Sequence, residues 1–323
     1  MTNQRIWRKP GLRYPEPFDA LFFDVDGILL YTVDSFHATD IATAEYVVGT
    51  LHGLDWGQHE GKPLVTLQDI EQFKLAGGFN NDWDMCYLLS SLYTAIWREW
   101  RGTTLAARTT EEWANLAREA HLAGRGGRTW VNTVVPESAR LDYHIVGDIY
   151  HEYYWGAEGI RTYYGREPRY VQNQQGLYLR EHFLFQPDIF QRFRASGIKH
   201  MGLITGRVGP EVEVALAMLE QYTGERWWEV VIPGDVCPKP DPRALRMAIA
   251  QTGARGGLFI GDTADDRDLV RYYMESRQAG EPEFLSAMMV NPSEIELYQQ
   301  RGADLIVKSI DDLLLCLPEG VAE

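Results

Sequence analysis

The chain is short of cysteine, short of positive charge and without any long apolar run, and each shortage closes off a class of protein. Its three cysteines, Cys86, Cys237 and Cys316, are odd in number and show no CxxC or zinc-type spacing. They cannot make a complete disulfide framework, so reduced thiols in a cytoplasmic protein are expected. Lys and Arg number 31 against 46 Asp and Glu, a formal net charge of −15. The nearest thing to a basic cluster, Arg125 to Arg128, is short and lies among glycines. That balance argues against nucleic acid and anionic membranes as partners. It leaves room for a small phosphorylated substrate, because one metal ion and one lysine reverse the sign locally. No segment approaches about eighteen consecutive apolar residues, so no membrane span is expected. The basic residues near the N-terminus have no apolar stretch behind them, so no signal peptide is expected either. Nothing in the sequence sets an oligomeric state.

What is present is the composition of a globular protein: 45% hydrophobic and 24% charged residues over 323 positions, enough for one large domain or two ordinary ones. The first strong signal is the apolar run Ala20-Leu21-Phe22-Phe23, which stops at Asp24-Val25-Asp26-Gly27. A run that is apolar throughout is the mark of a strand buried on both faces of a parallel sheet. Similar runs are Lys199–Ile204 before Thr205-Gly206-Arg207, Trp227–Ile232 before Pro233-Gly234-Asp235, and Gly257–Ile260 before Gly261-Asp262. Ala287–Val290 and Asp304–Val307 are two more candidates. Helical patterns over Pro210–Tyr222 and Pro242–Thr252 lie between them, and strands alternating with helices imply a doubly wound parallel α/β sheet. Asp24, Thr205 and Asp262 each follow a strand, and ligands of open α/β sheets bind at those carboxyl ends.

Between the first two strands, residues 35–178 lack this rhythm and read as a mainly α-helical insertion, with helices near Ile41–Gly49, Leu67–Leu75, Asp84–Arg98 and Glu111–His121. The expected division is therefore a core of residues 1–34 and 179–323 and an inserted domain of 35–178.

Four short motifs then carry the chemistry: Asp24-Val25-Asp26-Gly27-Ile28-Leu29, Ile204-Thr205-Gly206-Arg207, Lys239 within Cys237-Pro238-Lys239-Pro240-Asp241-Pro242, and Gly261-Asp262-Thr263-Ala264-Asp265-Asp266. In that order they resemble the haloacid dehalogenase superfamily of phosphatases. The insertion resembles the helical cap of its phosphoglycolate-phosphatase-like branch, here enlarged. The resemblance implies a Rossmann-like core and Mg2+-dependent phosphomonoester hydrolysis. It also implies a nucleophile, Asp24, that forms an aspartyl-phosphate, and an acid/base partner, Asp26. A carboxylate attacks phosphorus only when the phosphoryl charge is neutralised and attack is in line. Asp24, the backbone carbonyl of Asp26, Asp262 and Asp266 are the expected magnesium ligands, since this ion takes oxygen donors and keeps waters. Thr205, through its hydroxyl and backbone N–H, Gly206 and Lys239 are expected to hold the phosphate. Asp26 argues against the dehalogenase branch, which lacks a carboxylate there because a departing halide needs no proton. Phosphoryl transfer between sugar positions uses the same motifs and is the alternative, and a catalytically silent binding protein is a weaker one.

Singly, each motif also has an ordinary structural reading. Asp262 could cap the following helix, and Asp265 is expected to be solvated or capping. In the insertion, Phe73 to Asp84 reads as a helix ending at Gly77-Gly78 and a new helix capped by Asp82. The functional reading makes Lys74, Asn80 and Asn81, with Arg207 of the core, substrate-specificity candidates. The aromatics from Tyr143 to Tyr178 could stack on a sugar, although packing is the commoner use. His144 and His151, seven apart, are expected to be structural. The expected substrate class is a small phosphorylated metabolite, such as a sugar or polyol phosphate.

Overall fold

The computed structural model of the chain describes residues 6–79 and 81–318. They divide into two compact units, with junctions at 31/32 and 181/182: the inserted stretch between them is one unit and the residues on either side of it form the other. The sequence suggested 34/35 and 178/179. The shift has a local cause. Two two-residue strands, β3 (Leu30–Tyr31) and β4 (His182–Phe183), pair antiparallel on either side of the insertion. Both are too short to leave a pattern.

The first unit is built on a seven-stranded sheet in the order β1-β9-β8-β7-β2-β5-β6. The strands are β1 (Ile6–Arg8), β2 (Ala20–Phe23), β5 (His200–Ile204), β6 (Val230–Ile232), β7 (Gly256–Gly261), β8 (Glu283–Met289) and β9 (Leu305–Val307). All pair in parallel except β1, which runs antiparallel to β9 at the edge. The alternating residues of β2 explain why its run is apolar throughout. Leu21 and Phe23 join Leu203, Ile260 and residues of helices Ile189–Ala195 and Pro210–Thr223. Ala20 and Phe22 join Ile204, Phe259 and residues of helices Arg243–Thr252 and Ala264–Glu275 on the other face. Burying one such phenylalanine contributes about 1.5–3 kcal/mol. Strand order reverses around β2: the chain builds outward to β5 and β6, then returns to β7 on the other side. Open α/β sheets bind ligands at such a reversal, which here lies at the carboxyl ends of β2, β5 and β7.

Two strands differ from expectation. β8 begins at Glu283 because its polar Ser286 is satisfied: its hydroxyl and amide both reach Asp304 Oδ2 at 3.1 Å. β6 is shorter than the apolar run before it, because Trp228 fills the core against Phe23 and Phe190 instead of extending the strand.

The second unit is helical: Ala38–Glu45, Leu67–Ala76, Asp82–Thr94, Thr110–Leu122, Gly127–Val134 and Tyr143–Tyr164. Tyr150, Tyr154 and Trp155 are fully buried, which removes them as sugar-stacking surfaces. Trp83 lies between His144 and His151, with ring centroids at 6.3 and 5.0 Å, and burial lowers His151 to about 4, helped by Arg166. These histidines pack. Glu152, fully buried, pins the chain after the long helix: its carboxylate accepts the N–H groups of Arg169, Tyr170 and Val171 at 2.6–2.9 Å and the Arg166 guanidinium at 2.7 Å. Burial alone would raise its pKa, but these donors outweigh it and hold the pKa below 4.5. The charged form is thus favoured by folding, and its stabilisation is complete above the unfolded carboxylate range and fades as pH falls through the folded value. Glu152→Gln is expected to cost about 2–4 kcal/mol in urea unfolding at pH 7, with a gap that narrows below the Glu range. A gap independent of pH contradicts the charge argument. Among the described residues no helix is long and apolar enough to cross a membrane.

Candidate active site

The end of β2 sets the geometry. The Asp24 amide donates to Ile260 O at 2.8 Å, carrying the ladder one residue past the strand, and Asp24 Oδ1 accepts the Val25 N–H at 2.8 Å. Its side chain is therefore buried and oriented by its own backbone. Gly27 follows at φ +72°, and a Cβ there would overlap the Asp262 carboxylate. Only glycine lets the first and fourth motifs approach.

Lys239 closes the site. Its Nζ lies 2.8 Å from Asp24 Oδ2 and 2.6 Å from Asp266 Oδ1, with its side chain 1% exposed. Burial alone would lower its pKa, but Asp24 and Asp266 raise it far above the usual lysine value, so the ammonium stays charged. Burial pushes Asp24 in the opposite sense for an acid, up to about 7; Lys239 opposes this, while Asp266 and Asp26 add to it. Two buried carboxylates share one ammonium, and the excess negative charge is open to a cation.

The fourth motif supplies the matching side. Thr263 is the N-cap of helix Ala264–Glu275, in a reciprocal pair with Asp266. Asp266, fully buried, uses Oδ2 to accept the Thr263 hydroxyl at 2.7 Å and the amides of Thr263 and Asp262 at 2.9 and 3.1 Å. Ligand atoms of Asp24, Asp262 and Asp266 all lie within 4.8 Å of one another. Together with the close approach that Gly27 permits, this all-oxygen donor set fits a hard divalent cation. The side chain of Asp26 is not in that group. Asp265 corrects the expectation of a solvated or capping residue: it is buried, burial pushes it up to about 7, and its Oδ1 has no hydrogen-bond partner among the described residues.

At the end of β5 the structure changes two expectations. The Thr205 N–H donates to Ile232 O at 3.0 Å, so it belongs to the sheet and is not a phosphate donor. The buried hydroxyl remains; it accepts the Arg207 N–H at 3.1 Å and keeps its own proton to give, with the Gly206 amide next in line. Arg207 is 2% exposed, and its Nε and Nη2 reach Asp26 Oδ1 at 2.9 and 2.7 Å. It stands beside the second aspartate of the first motif, a contact between residues 181 apart that no sequence pattern signals.

No family model matches the chain, and no curated protein matches it in sequence. Solved structures do. The phosphatase Tt82 from Thermococcus thioreducens is 23% identical, with a TM-score of 0.58 over 92% of this chain and 99% of that one. A candidate phosphoglycolate phosphatase from Lactobacillus delbrueckii subsp. bulgaricus is 14% identical, with a TM-score of 0.50 over 93% and 98%. A predicted phosphoglycolate phosphatase from Haemophilus somnus 129pt is 13% identical, with a TM-score of 0.50 over 93% and 97%. This is the haloacid dehalogenase fold.

Within the haloacid dehalogenase-like core, residues from all four motifs converge: Lys239 and Asp266 on Asp24, Asp262 against Gly27, and Arg207 on Asp26. In the inserted unit, much of the Gly-Gly-Phe-Asn-Asn-Asp stretch is structural. A Cβ on Gly78 would sit 3.2 Å from Gly126 Cα, and one on Gly127 would sit 2.9 Å from Gly78 O, so two backbones cross there. Phe79 is buried between Phe73 and Trp130, each with ring centroids 6.0 Å away. Asn81, not Asp82, is the N-cap of the next helix; its side chain accepts the Asp84 N–H at 3.2 Å. Lys74, half-buried, pairs with Asp82 at 3.4 Å. Asn80 lies outside the described residues.

Proposed function

We propose that the chain is a magnesium-dependent phosphomonoesterase of small phosphorylated metabolites, acting through an aspartyl-phosphate on Asp24. The observation that carries this reading is the Lys239 bridge to Asp24 and Asp266: a buried ammonium beside a buried carboxylate is what nucleophilic attack on a dianionic phosphoryl group requires. Asp24, Asp262 and Asp266, with the carbonyl of Asp26, would hold the ion. When bound, magnesium neutralises phosphoryl charge and fixes the phosphate for in-line attack.

The chain's own groups do the rest. Lys239, the Thr205 hydroxyl and the Gly206 amide hold phosphoryl oxygens while the Asp24 carboxylate attacks phosphorus. The ester P–O bond breaks, and the departing oxygen takes a proton from Asp26. Asp26 then removes a proton from water, the water oxygen attacks phosphorus, and the bond to Asp24 breaks, releasing phosphate. An alkoxide leaves poorly without a proton, so Asp26 fits alkyl esters such as sugar or polyol phosphates. The two neighbours described as phosphoglycolate phosphatases support an alkyl phosphate of this kind. Lys74 and Asn80 are the specificity residues of the inserted unit in this reading. Three free, buried cysteines support a cytoplasmic setting.

The test is phosphate release from 4-nitrophenyl phosphate and a panel of sugar and polyol phosphates, with magnesium and with EDTA. Release that needs the metal is expected. Folded protein that frees no phosphate from any of them with magnesium, manganese or cobalt contradicts the proposal.

A further inference from the structure

We propose that Arg207 is a positioning residue for Asp26: it holds one carboxylate oxygen so that the other is presented to the leaving group. The inference rests on the phosphatase reading and assigns a role to a side chain which that reading leaves unused. Nε and Nη2 of Arg207 converge on the same atom, Asp26 Oδ1, at 2.9 and 2.7 Å. Among the described residues nothing reaches Oδ2, and the Asp26 side chain stays 27% exposed while that of Arg207 is 1% exposed. The fork is therefore the fixed partner and the carboxylate the one being held.

The backbone around Arg207 explains why the fork does not swing. Its N–H donates to Thr205 Oγ1 at 3.1 Å, and its carbonyl accepts the Gly234 N–H at 3.0 Å, tying the loop after β5 to the loop after β6. The Asp26 backbone is held as well, by a bridge to Leu30, but its side chain is 27% exposed and without the fork its χ1 would be free to turn toward water. A planar guanidinium with two donors fixes direction as well as distance, which an ammonium does not. The same Oδ2 serves both half-reactions. It gives its proton to the leaving oxygen as the P–O bond breaks, then receives one from the water that displaces Asp24.

A buried ion pair could instead do no more than stabilise the fold, and the leaving group separates the two roles. Loss of Asp26 alignment slows expulsion of an alkoxide, which needs a proton, and spares 2,4-dinitrophenolate, which does not. For Arg207→Lys, the single-turnover rate of alcohol release from glycerol 2-phosphate, which reports the first half-reaction alone, is expected to fall about 10²-fold. With 2,4-dinitrophenyl phosphate the fall is expected to stay within about threefold. Arg207→Gln, of similar size and without charge, should show the same selectivity and carries the test should the lysine variant not fold. In an Asp26→Asn background, either change should add little further loss. Equal losses on both substrates, or full additivity with Asp26→Asn, overturn the inference while leaving the phosphatase reading intact. Inactivity of the unaltered protein on both esters would instead sink that reading.

Discussion

Asp24→Asn is expected to lower kcat by roughly 10⁴-fold or more while the protein remains folded. The amide has the shape of the carboxylate but not the electron pair that forms the bond to phosphorus. Burial already pushes Asp24 up to about 7, so the fold does not depend on its negative charge. Its Oδ1 contact with the Val25 N–H needs only an acceptor, which the amide oxygen supplies. Thermal unfolding should therefore shift little, and metal-free protein should lose one of two charges competing for Lys239. Activity within tenfold of the original, by the conversion of about 1.4 kcal/mol per decade, would remove Asp24 from the nucleophile's role.

Lys239→Met should damage both chemistry and stability. On the chemical side it removes the cation beside the attacking carboxylate, a loss of about 10³-fold in kcat/KM by analogy with other electrostatic stabilisers of developing charge. On the structural side it leaves Asp24 and Asp266, 4% and 0% exposed, without the ammonium they share, which costs about 3–5 kcal/mol at neutral pH. The direction with pH follows from the folded values. Asp24 already sits near 7 against an ordinary 3.8, and losing Lys239 removes the contact that lowers it. An acid whose folded pKa exceeds its unfolded one stabilises the fold as pH falls toward the unfolded value. In EDTA, the variant should unfold at lower temperature at pH 8 than at pH 5, and the deficit should be largest at the higher pH. A deficit that grows on acidification contradicts the shared-ammonium geometry.

How far the sequence carried depended on whether a residue's environment could be read from its neighbours. Asp24 and Asp262 stood out because apolar strands buried on both faces stop at them, and the sheet aligns such stops on one edge. Lys239 carries little local signal of its own; the four-motif resemblance singled it out, and its contacts with Asp24 and Asp266 come only with the fold. Thr205 was placed at the right strand end, yet its amide stays in the ladder, because pairing with β6 runs one residue past the apolar run. Asp265 looked like an exposed turn residue beside Asp266, but the phase of the following helix turns it inward, and phase is not visible in a six-residue motif. Asp82 was expected to cap its helix, but the cap is Asn81, one residue earlier, a shift of the size helix ends commonly show. The edge strand β1 and the β3–β4 ribbon are two or three residues long, and elements of that size are held by pairing rather than by propensity. Arg207 lay furthest out of reach, since its partner is 181 positions away.

The most direct test of the central claim is an acid quench during turnover of an alkyl phosphate with magnesium, followed by peptide mapping. The account predicts a phosphoryl group on Asp24, formed and lost at the rate of turnover and absent in Asp24→Asn. A phosphoryl group on another residue, or steady phosphate release with Asp24 never modified, would contradict it.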